Sequence, residues 1–415
     1  MTSKLLTSLL FAAVFLALGS TALLATTTWY VNGVSGSDGN RCLSSTAACK
    51  TIGHAISLAS SGDSIQVAAA NYYESLSIGI SLVILGSGAS TTVIDGGASS
   101  SVVTISNGPH VTLSSLTIQN GKASSGAGIH NSGTLTLTNS TISGNWAPIP
   151  CIPFGLVCLS RGTASGGGIY NSGALIVSNS TISGNHAGSY CNATPCSAFG
   201  GGIYNRGTLM TIKNSTLTGN SAGTACSTSI HCQVGVGGAF YTFGGTVTLN
   251  NSTVSGSSAY RCSGVCGGTG GAVVNGSGNL AMNNSTVSGN SAGGIFNGGT
   301  ATLQNSIVAN NSGTNCGGTT ITSHGYNLSS DGSCAFSNSG DRDNTNPMLG
   351  TLGSYGGPTP TIPLLTGSPA IDAGNPSGCT DGLGHLLKTD QRGMPRPDAE
   401  DSGGCDIGAY ERQSD

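Results

Sequence analysis

The chain carries sixteen carboxylates, and none of them lies between Asp95 and Asp331. Glycoside hydrolysis ordinarily sets two carboxyl groups across a sugar, one as acid and the other as base or nucleophile. Polysaccharide elimination commonly adds Ca²⁺, a hard ion that takes carboxylate oxygens. From Gly96 to Ser330 the only cations are Lys122, Arg161, Arg206, Lys213 and Arg261, which read as solvated loop or rim residues. No catalytic residue is therefore assigned to the body of the chain. A carbohydrate-active lyase or hydrolase would have to work from the ends, with Asp63, Glu74 and Asp95 as its candidates, and each of these also fits a turn or cap. His110, His130, His186 and His231 are isolated in sequence, and no GxSxG nucleophile turn is present.

Downstream, Asp341-Arg342-Asp343-Asn344-Thr345-Asn346 alternates oxygen ligands as a calcium loop does, but lacks that loop's glycine and terminal glutamate. Asp341 and Asp343 are its metal candidates. Asp372, Asp390, Arg392, Asp406 and Glu411 are expected to form a buried ion-pair network. No cofactor is implied. A net charge of minus three without a basic cluster argues against nucleic acid as a partner, because phosphate contacts need many Lys or Arg.

Fourteen cysteines, all after residue 25, fall into close pairs: Cys42 with Cys49, Cys151 with Cys158, Cys191 with Cys196, Cys226 with Cys232, and Cys262 with Cys266. Cys316 with Cys334 and Cys379 with Cys405 complete seven expected disulfides, which implies an oxidising compartment. A zinc site at Cys226, His231 and Cys232 would lack the paired CxxC spacing of such sites. The first residues agree with export. Lys4, an apolar run from Leu5 to Leu18, and the small residues Ser20, Ala22 and Ala25 read as a signal peptide over 1–25. No later apolar run is long enough to span a bilayer.

The elements that would position any site are set by a repeat. Gly128 to Asn145, Gly167 to Asn185, Gly201 to Asn220, Gly237 to Ser257, Gly270 to Asn290 and Gly293 to Asn310 share one plan. Each has a GGI-aromatic-Asn strand, a Gly turn, an alternating strand such as Thr134-Leu135-Thr136-Leu137, and then NST-apolar-SGN. Asn139, Asn179, Asn214, Asn251, Asn284 and Asn305 mark the phase, at spacings of 40, 35, 37, 33 and 21. The bare coil of 21 suits three short strands joined by tight turns. The four longer intervals carry insertions with one cysteine pair each, so the insertions should leave the solenoid at one corner.

This predicts an all-β, right-handed parallel β-helix over 26–330, with a small C-terminal module over 331–415. Ile129, Ile169, Ile203, Ala239, Ala272 and Ile295 should form one inward ladder, and Leu137, Val177, Ile212, Leu249, Met282 and Leu303 another. Asn139 and its equivalents are expected to stack as an amide ladder; the same tripeptides also read as N-glycosylation sequons. Thr51 and the helical spacing of Ile52, Ala55, Ile56 and Ala59 predict a capping helix. Ser64 to Val67, Leu76 to Ile80, Leu82 to Leu85 and Val102 to Ile105 supply early strands.

The GGI and NST-apolar-SGN pattern resembles the repeats of bacterial polymorphic outer-membrane proteins, a parallel β-helix family. Asn346-Pro347-Met348-Leu349-Gly350, Gly356-Gly357-Pro358-Thr359-Pro360-Thr361, Gly367-Ser368-Pro369-Ala370-Ile371-Asp372-Ala373-Gly374, Thr389-Asp390-Gln391-Arg392-Gly393 and Asp406-Ile407-Gly408-Ala409-Tyr410-Glu411 resemble the choice-of-anchor Q domain. These resemblances imply export and display at a cell surface, associated with an outer membrane, but no defined chemistry. After Glu411 the sequence shows no apolar segment or sorting motif, so no anchoring route is assigned.

Two outer faces are candidates for contact. His130, Tyr170, Tyr204, Phe240, Val273 and Phe296 follow the inward ladder by one residue and should point outward as a mostly aromatic stripe. Tyr170, Tyr204, Phe240 and Phe296 are its ligand-binding candidates, either stacking on sugars or stacking on one another beneath the insertions. A TxT array, with Thr134, Thr246 and Thr300 beside Thr136, Thr248 and Thr302, is interrupted by Ala174, Ile176, Asn279 and Ala281, which argues against an ice-binding face. The expectation is an exported, non-enzymatic surface or matrix protein that contacts surface glycans or extracellular proteins.

Overall fold

The computed structural model describes residues 26–414, apart from 155–156, 161, 190–195, 224–233, 261–269 and 400–403. The expected signal peptide lies outside these residues. Three long parallel sheets wind along the chain, and the central coils each contribute one strand to each. The first sheet has eleven strands, from Thr28–Val31 to Ile321–Ser323. The second has nine, from Leu76–Ile78 to Cys316–Gly318, and the third has ten, from Ala70–Tyr73 to Leu328–Ser329. Within a coil, Ile129–Asn131, Thr134–Thr138 and Thr141–Ser143 show the expected division into three strands. The protein is a parallel β-helix, and no helix among the described residues is long and apolar enough to cross a membrane.

Alternation sets the register, since a one-residue slip would turn a strand's apolar set to solvent. Leu137, Val177, Ile212, Leu249, Met282 and Leu303 pair in sequence along the first sheet, all buried. Ile142, Ile182, Leu217, Val254, Val287 and Val308 do the same in the third. On the second sheet the expected ladder is corrected in two coils. Ile203 pairs with Phe240, which pairs with Val273, so Phe240 and Val273 are inward and Ala239 and Ala272 lie one place earlier. Ala239 stands where the preceding coil has Gly202, as both sit directly before the inward strand residue. Matching Gly-Gly-Ala to Gly-Gly-Ile therefore shifts the phase by one.

The amide ladder is real, but it stands mainly on other asparagines; of the expected set, Asn305 donates to Asn284 at 3.0 Å. Asn139, Asn179, Asn214, Asn251, Asn284 and Asn305 all adopt left-handed backbone, with φ from 44° to 50°. That conformation favours Asn or Gly and turns the chain into the third sheet. The serine that follows each one is buried and accepts a backbone N–H from the preceding coil, as Ser180 Oγ does from Ser140 at 3.1 Å and Ser215 Oγ from Ser180 at 3.2 Å. The amides that stack end the second-sheet strands or follow the third-sheet strands by two residues. Asn131 donates to Asn171 at 2.6 Å, and Asn171 to Asn205 at 2.7 Å. Asn145 donates to Asn185 at 2.9 Å, and Asn185 to Asn220 at 3.0 Å.

The capping helix is Ile52–Leu58, with Thr51 accepting from the His54 N–H at 3.2 Å and Ile52 and Ala55 buried on the first coils. The early strands include Ser64–Val67, Leu76–Ile78, Leu82–Gly86 and Val103–Ile105. The insertions do leave at one corner, and they are more than loops. Their first legs, Trp146–Ala147, His186–Ala187, Ser221–Ala222 and Ser258–Ala259, pair as a four-stranded sheet. The return legs Gly162–Ser165, Cys196–Phe199 and Val234–Val236 pair as a three-stranded one. Between them lies a second small core that includes Ala127, Ala147, Ala164, Ala187, Ala198 and Ala222.

Disulfides join Cys42 to Cys49, Cys316 to Cys334 and Cys379 to Cys405, and Cys196 is also disulfide-bonded. The pairings expected for Cys151 with Cys158, Cys191 with Cys196, Cys226 with Cys232 and Cys262 with Cys266 rest on side chains outside those described, and His231 also lies outside them. Residues beyond Asp331 run back along the outer face of the third sheet. Leu364, Ala370 and Ile407 pack there on Ile307, Ala309 and Leu328.

Candidate binding groove

Where the second sheet meets the insertion corner, the outward column reads His130, Tyr170, Tyr204, Tyr241, Val274 and Phe296. Tyr241 takes the place expected for Phe240, which is fully buried, and Val274 replaces Val273. The rings stack along the solenoid. Centroids are 4.7 Å apart for His130 and Tyr170, 5.4 Å for Tyr170 and Tyr204, and 5.5 Å for Tyr204 and Tyr241. Phe199, from a return leg, leans on Tyr204 at 5.9 Å and Tyr241 at 5.2 Å. Phe296 is cut off from this cluster by Val274 and packs over Gly317.

This geometry decides what the row can do. Ring faces in the middle of the stack are used by neighbouring rings, so the half-buried tyrosines offer edges and hydroxyls rather than faces. A shallow groove of about 320 Å³ runs beside them, lined by Ser124, Ser125, Thr163, Ser165, Tyr170, Phe199, Tyr204 and Arg206. Burial raises the Tyr204 and Tyr241 phenols, and the nearby Arg206 guanidinium opposes the rise. Both stay protonated at neutral pH and can donate. Apolar ring edges with a few convergent hydroxyls and one cation form the usual lining of a small-ligand site.

The carboxylates proposed for catalysis are engaged elsewhere. Asp63 accepts from the Thr27 N–H at 2.7 Å, the Trp29 indole at 2.9 Å and the Ser60 N–H at 2.9 Å. Asp95 accepts from the Gly97 N–H at 2.9 Å, Gln119 at 3.1 Å and Asn120 at 2.6 Å. Burial pushes both carboxyls up, but these donors outweigh it and leave each below the usual range. Glu74 accepts the Ile52 and Gly53 N–H groups at 2.9 and 2.8 Å, holding the start of the capping helix. A general acid needs the opposite shift from that of Asp63 and Asp95.

Asp341 and Asp343 sit at the far end of the solenoid. The oxygens of Asp341 accept from Ser323 at 2.6 Å, the Asn338 N–H at 2.7 Å and the Asn327 N–H at 2.8 Å, donors that compete with any cation for its lone pairs. Asp343 accepts the Phe336 N–H at 2.9 Å, and its carboxyl is raised by burial and by the charges of Asp341 and Asp331. Among the described residues, Cys42, Cys49 and His54 have ligand atoms within 4.8 Å of one another. The two sulfurs form a disulfide and offer no thiolate.

The C-terminal acids and arginines come together as two buried pairs. Arg392 meets Asp390 at 2.8 Å, and Arg396, which the sequence reading missed, meets Glu411 at 2.6 Å. Asp406 accepts the Asp372 N–H at 2.9 Å and the Arg412 N–H at 2.7 Å. These contacts hold the module's segments to one another, and Arg396 also donates to Asn251 of the solenoid at 3.0 Å.

Solved structures share this architecture. Pectate lyase Pel9A aligns over 93% of this chain and 96% of its own, at a TM-score of 0.52 and 14% identity. Pectin methylesterase from carrot aligns over 65% of this chain and 82% of its own, at a TM-score of 0.37 and 12% identity. Pectin methylesterase PemA from Erwinia chrysanthemi aligns over 65% and 80%, at a TM-score of 0.34 and 16% identity. At these identities the likeness is one of fold. No protein-family model matches the chain, and no curated protein matches it.

Proposed function

We propose that this chain is an exported, surface-displayed binding protein without catalytic activity, and that its contact surface is the tyrosine-edged groove at the insertion corner. The observation that carries the reading is the state of the end carboxylates. Asp63 and Asp95 each accept three hydrogen bonds from backbone and side-chain donors and Glu74 accepts two at the start of the capping helix, while the body between them and Asp331 has no acid at all. The groove's hydroxyl and ring-edge lining suits a hydroxyl-rich glycan, held by hydrogen bonds from Tyr170, Tyr204 and Arg206. The repeats that resemble polymorphic outer-membrane proteins, and the tail that resembles a choice-of-anchor module, support display at a surface.

The competing reading, a lyase or hydrolase, draws on the enzymes that share the fold. A glycan array with the full chain, paired with assays for reducing ends and unsaturated products with and without Ca²⁺, separates the two. Saturable binding without turnover is expected, with affinity falling about tenfold or more in Tyr204→Phe combined with Arg206→Ala. Turnover that disappears in a folded Asp63→Asn or Asp95→Asn variant would sink the proposal.

A further inference from the structure

The outer face of the third sheet carries a repeated docking motif, and only part of it is used. In three successive coils the left-handed asparagine donates its amide to a backbone carbonyl of the C-terminal segment. Asn251 reaches Thr389 at 2.8 Å, Asn284 reaches Thr380 at 2.6 Å, and Asn305 reaches Asp406 at 2.8 Å. The outward threonine two residues on takes part as well. Thr253 donates to Gln391 at 2.6 Å, Thr286 accepts from the Ala409 N–H at 3.1 Å, and Thr216 donates to the Pro360 carbonyl.

The covering begins at one particular segment. Pro358-Thr359-Pro360-Thr361 crosses from coil to coil, with Thr359 donating to the Asn214 carbonyl at 3.2 Å and Thr361 meeting Thr253 in the next coil at 3.3 Å. Two residues of extended chain advance about 6.5 Å, and coils lie about 4.8 Å apart. An oblique path therefore gains one coil for every two residues.

The same motif continues past this segment without a cover. Asn139-Ser140-Thr141 and Asn179-Ser180-Thr181 have the same left-handed asparagine, and Thr141 and Thr181 pair in register with Thr216. Thr216, Thr253 and Thr286 are buried, whereas Thr141 and Thr181 are partly exposed and Asn139 is exposed. Among the described residues, no hydrogen bond holds the side chains of Asn139, Thr141, Asn179 or Thr181. Between Asn139 and Thr181 the strip itself carries no charged residue, and Lys213, in register with Ser178, stands only at its edge, which fits an uncharged backbone better than a charged ligand.

We propose that the coils at Asn139 and Asn179 extend the chain's internal docking strip and bind an extended, uncharged, Pro/Thr-rich polypeptide segment of a partner, in the way the strip already holds Pro358 to Thr361. The test uses the full chain and a fluorescent nine-residue peptide matching residues 356–364. Saturable binding is expected in anisotropy titrations, weakened at least tenfold by Asn179→Gly with Thr181→Val. Glycine keeps the positive φ and valine the strand shape, so the melting temperature should stay unchanged. Thr141→Val serves as a second, independent variant with the same expected direction. Absence of saturable binding, or binding that neither variant moves, overturns the proposal. Displacement of the peptide by a neutral oligosaccharide also overturns it, by making the occupant a glycan.

Discussion

Asn171 and Asn139 show how differently one residue type works in a single coil. Asn171 accepts from Asn131 and donates to Asn205, and it is fully buried. Asn171→Ala should remove the amide link to both neighbouring coils, leaving Asn131 its Gly133 and Ala174 carbonyl acceptors and Asn205 the Gly207 N–H, and cost about 1–3 kcal/mol for the two lost bonds. Asn139→Gly, at a left-handed position on the exposed side, should change stability by only a few tenths of a kcal/mol. Denaturant midpoints of the two variants measure the contrast, and equal losses would show that the buried amides do not couple the coils. Glu411 makes a different claim at this scale. Burial pushes its carboxyl up to about 8, Asp406 adds to the rise and Arg396 opposes it. One oxygen, Oε1, is buried with no partner, as suits a protonated acid better than an ion. Unfolded, the group titrates near 4.5, so between about 4.5 and 8 the folded chain holds a proton that the unfolded chain has released. Its contribution is complete below 4.5 and is lost as pH rises through 8, with a slope of at most about 1.4 kcal/mol per pH unit. Melting from pH 5 to 8.5 should show that decline in the wild type and a flatter profile in Glu411→Gln; matching profiles would place the titration elsewhere.

At the scale of strands and turns, the sequence was most readable where side chains alternate in a fixed environment. Leu137 and its equivalents were assigned correctly because each sits two residues before an asparagine that marks the turn. The second sheet was misread at Phe240 because Ala239 replaces a glycine, and only pairing with Ile203 reveals which residue faces inward. The insertions looked like clipped loops because their strands are two to four residues long, too short for alternation to be seen. Their signal was the small alanine ending each first leg, at Ala147, Ala187, Ala222 and Ala259. Small residues there let the legs approach one another over a second core. The aromatic row was legible as an outward column, but not the fact that stacking would use up its ring faces. That depends on the coil spacing, which brings successive rings to 4.7–5.5 Å.

For the whole molecule, the question is which contacts hold the solenoid and which hold its covering. One core cluster runs continuously from Val31 to Phe336, so the winding is supported along its length by burial. The C-terminal module adds a smaller cluster on Ile307, Ala309 and Leu328, together with a seam of hydrogen bonds. Ile307 and Leu328 occupy outward places that are threonine in earlier coils, a sign in the sequence itself that this end of the face is covered. The Cys379–Cys405 disulfide ties two limbs of the module, with the Asn305 amide 2.9 Å from the Cys379 sulfur. Loop closure of this size is worth roughly 3 kcal/mol, a large fraction of the module's hold and a small one of the solenoid's. Reduction of the native protein should therefore leave the β-sheet circular dichroism largely intact while exposing residues 345–414 to proteolysis. Loss of the β signal on reduction would instead mean that the disulfides, and not the stacked core, hold the coils together.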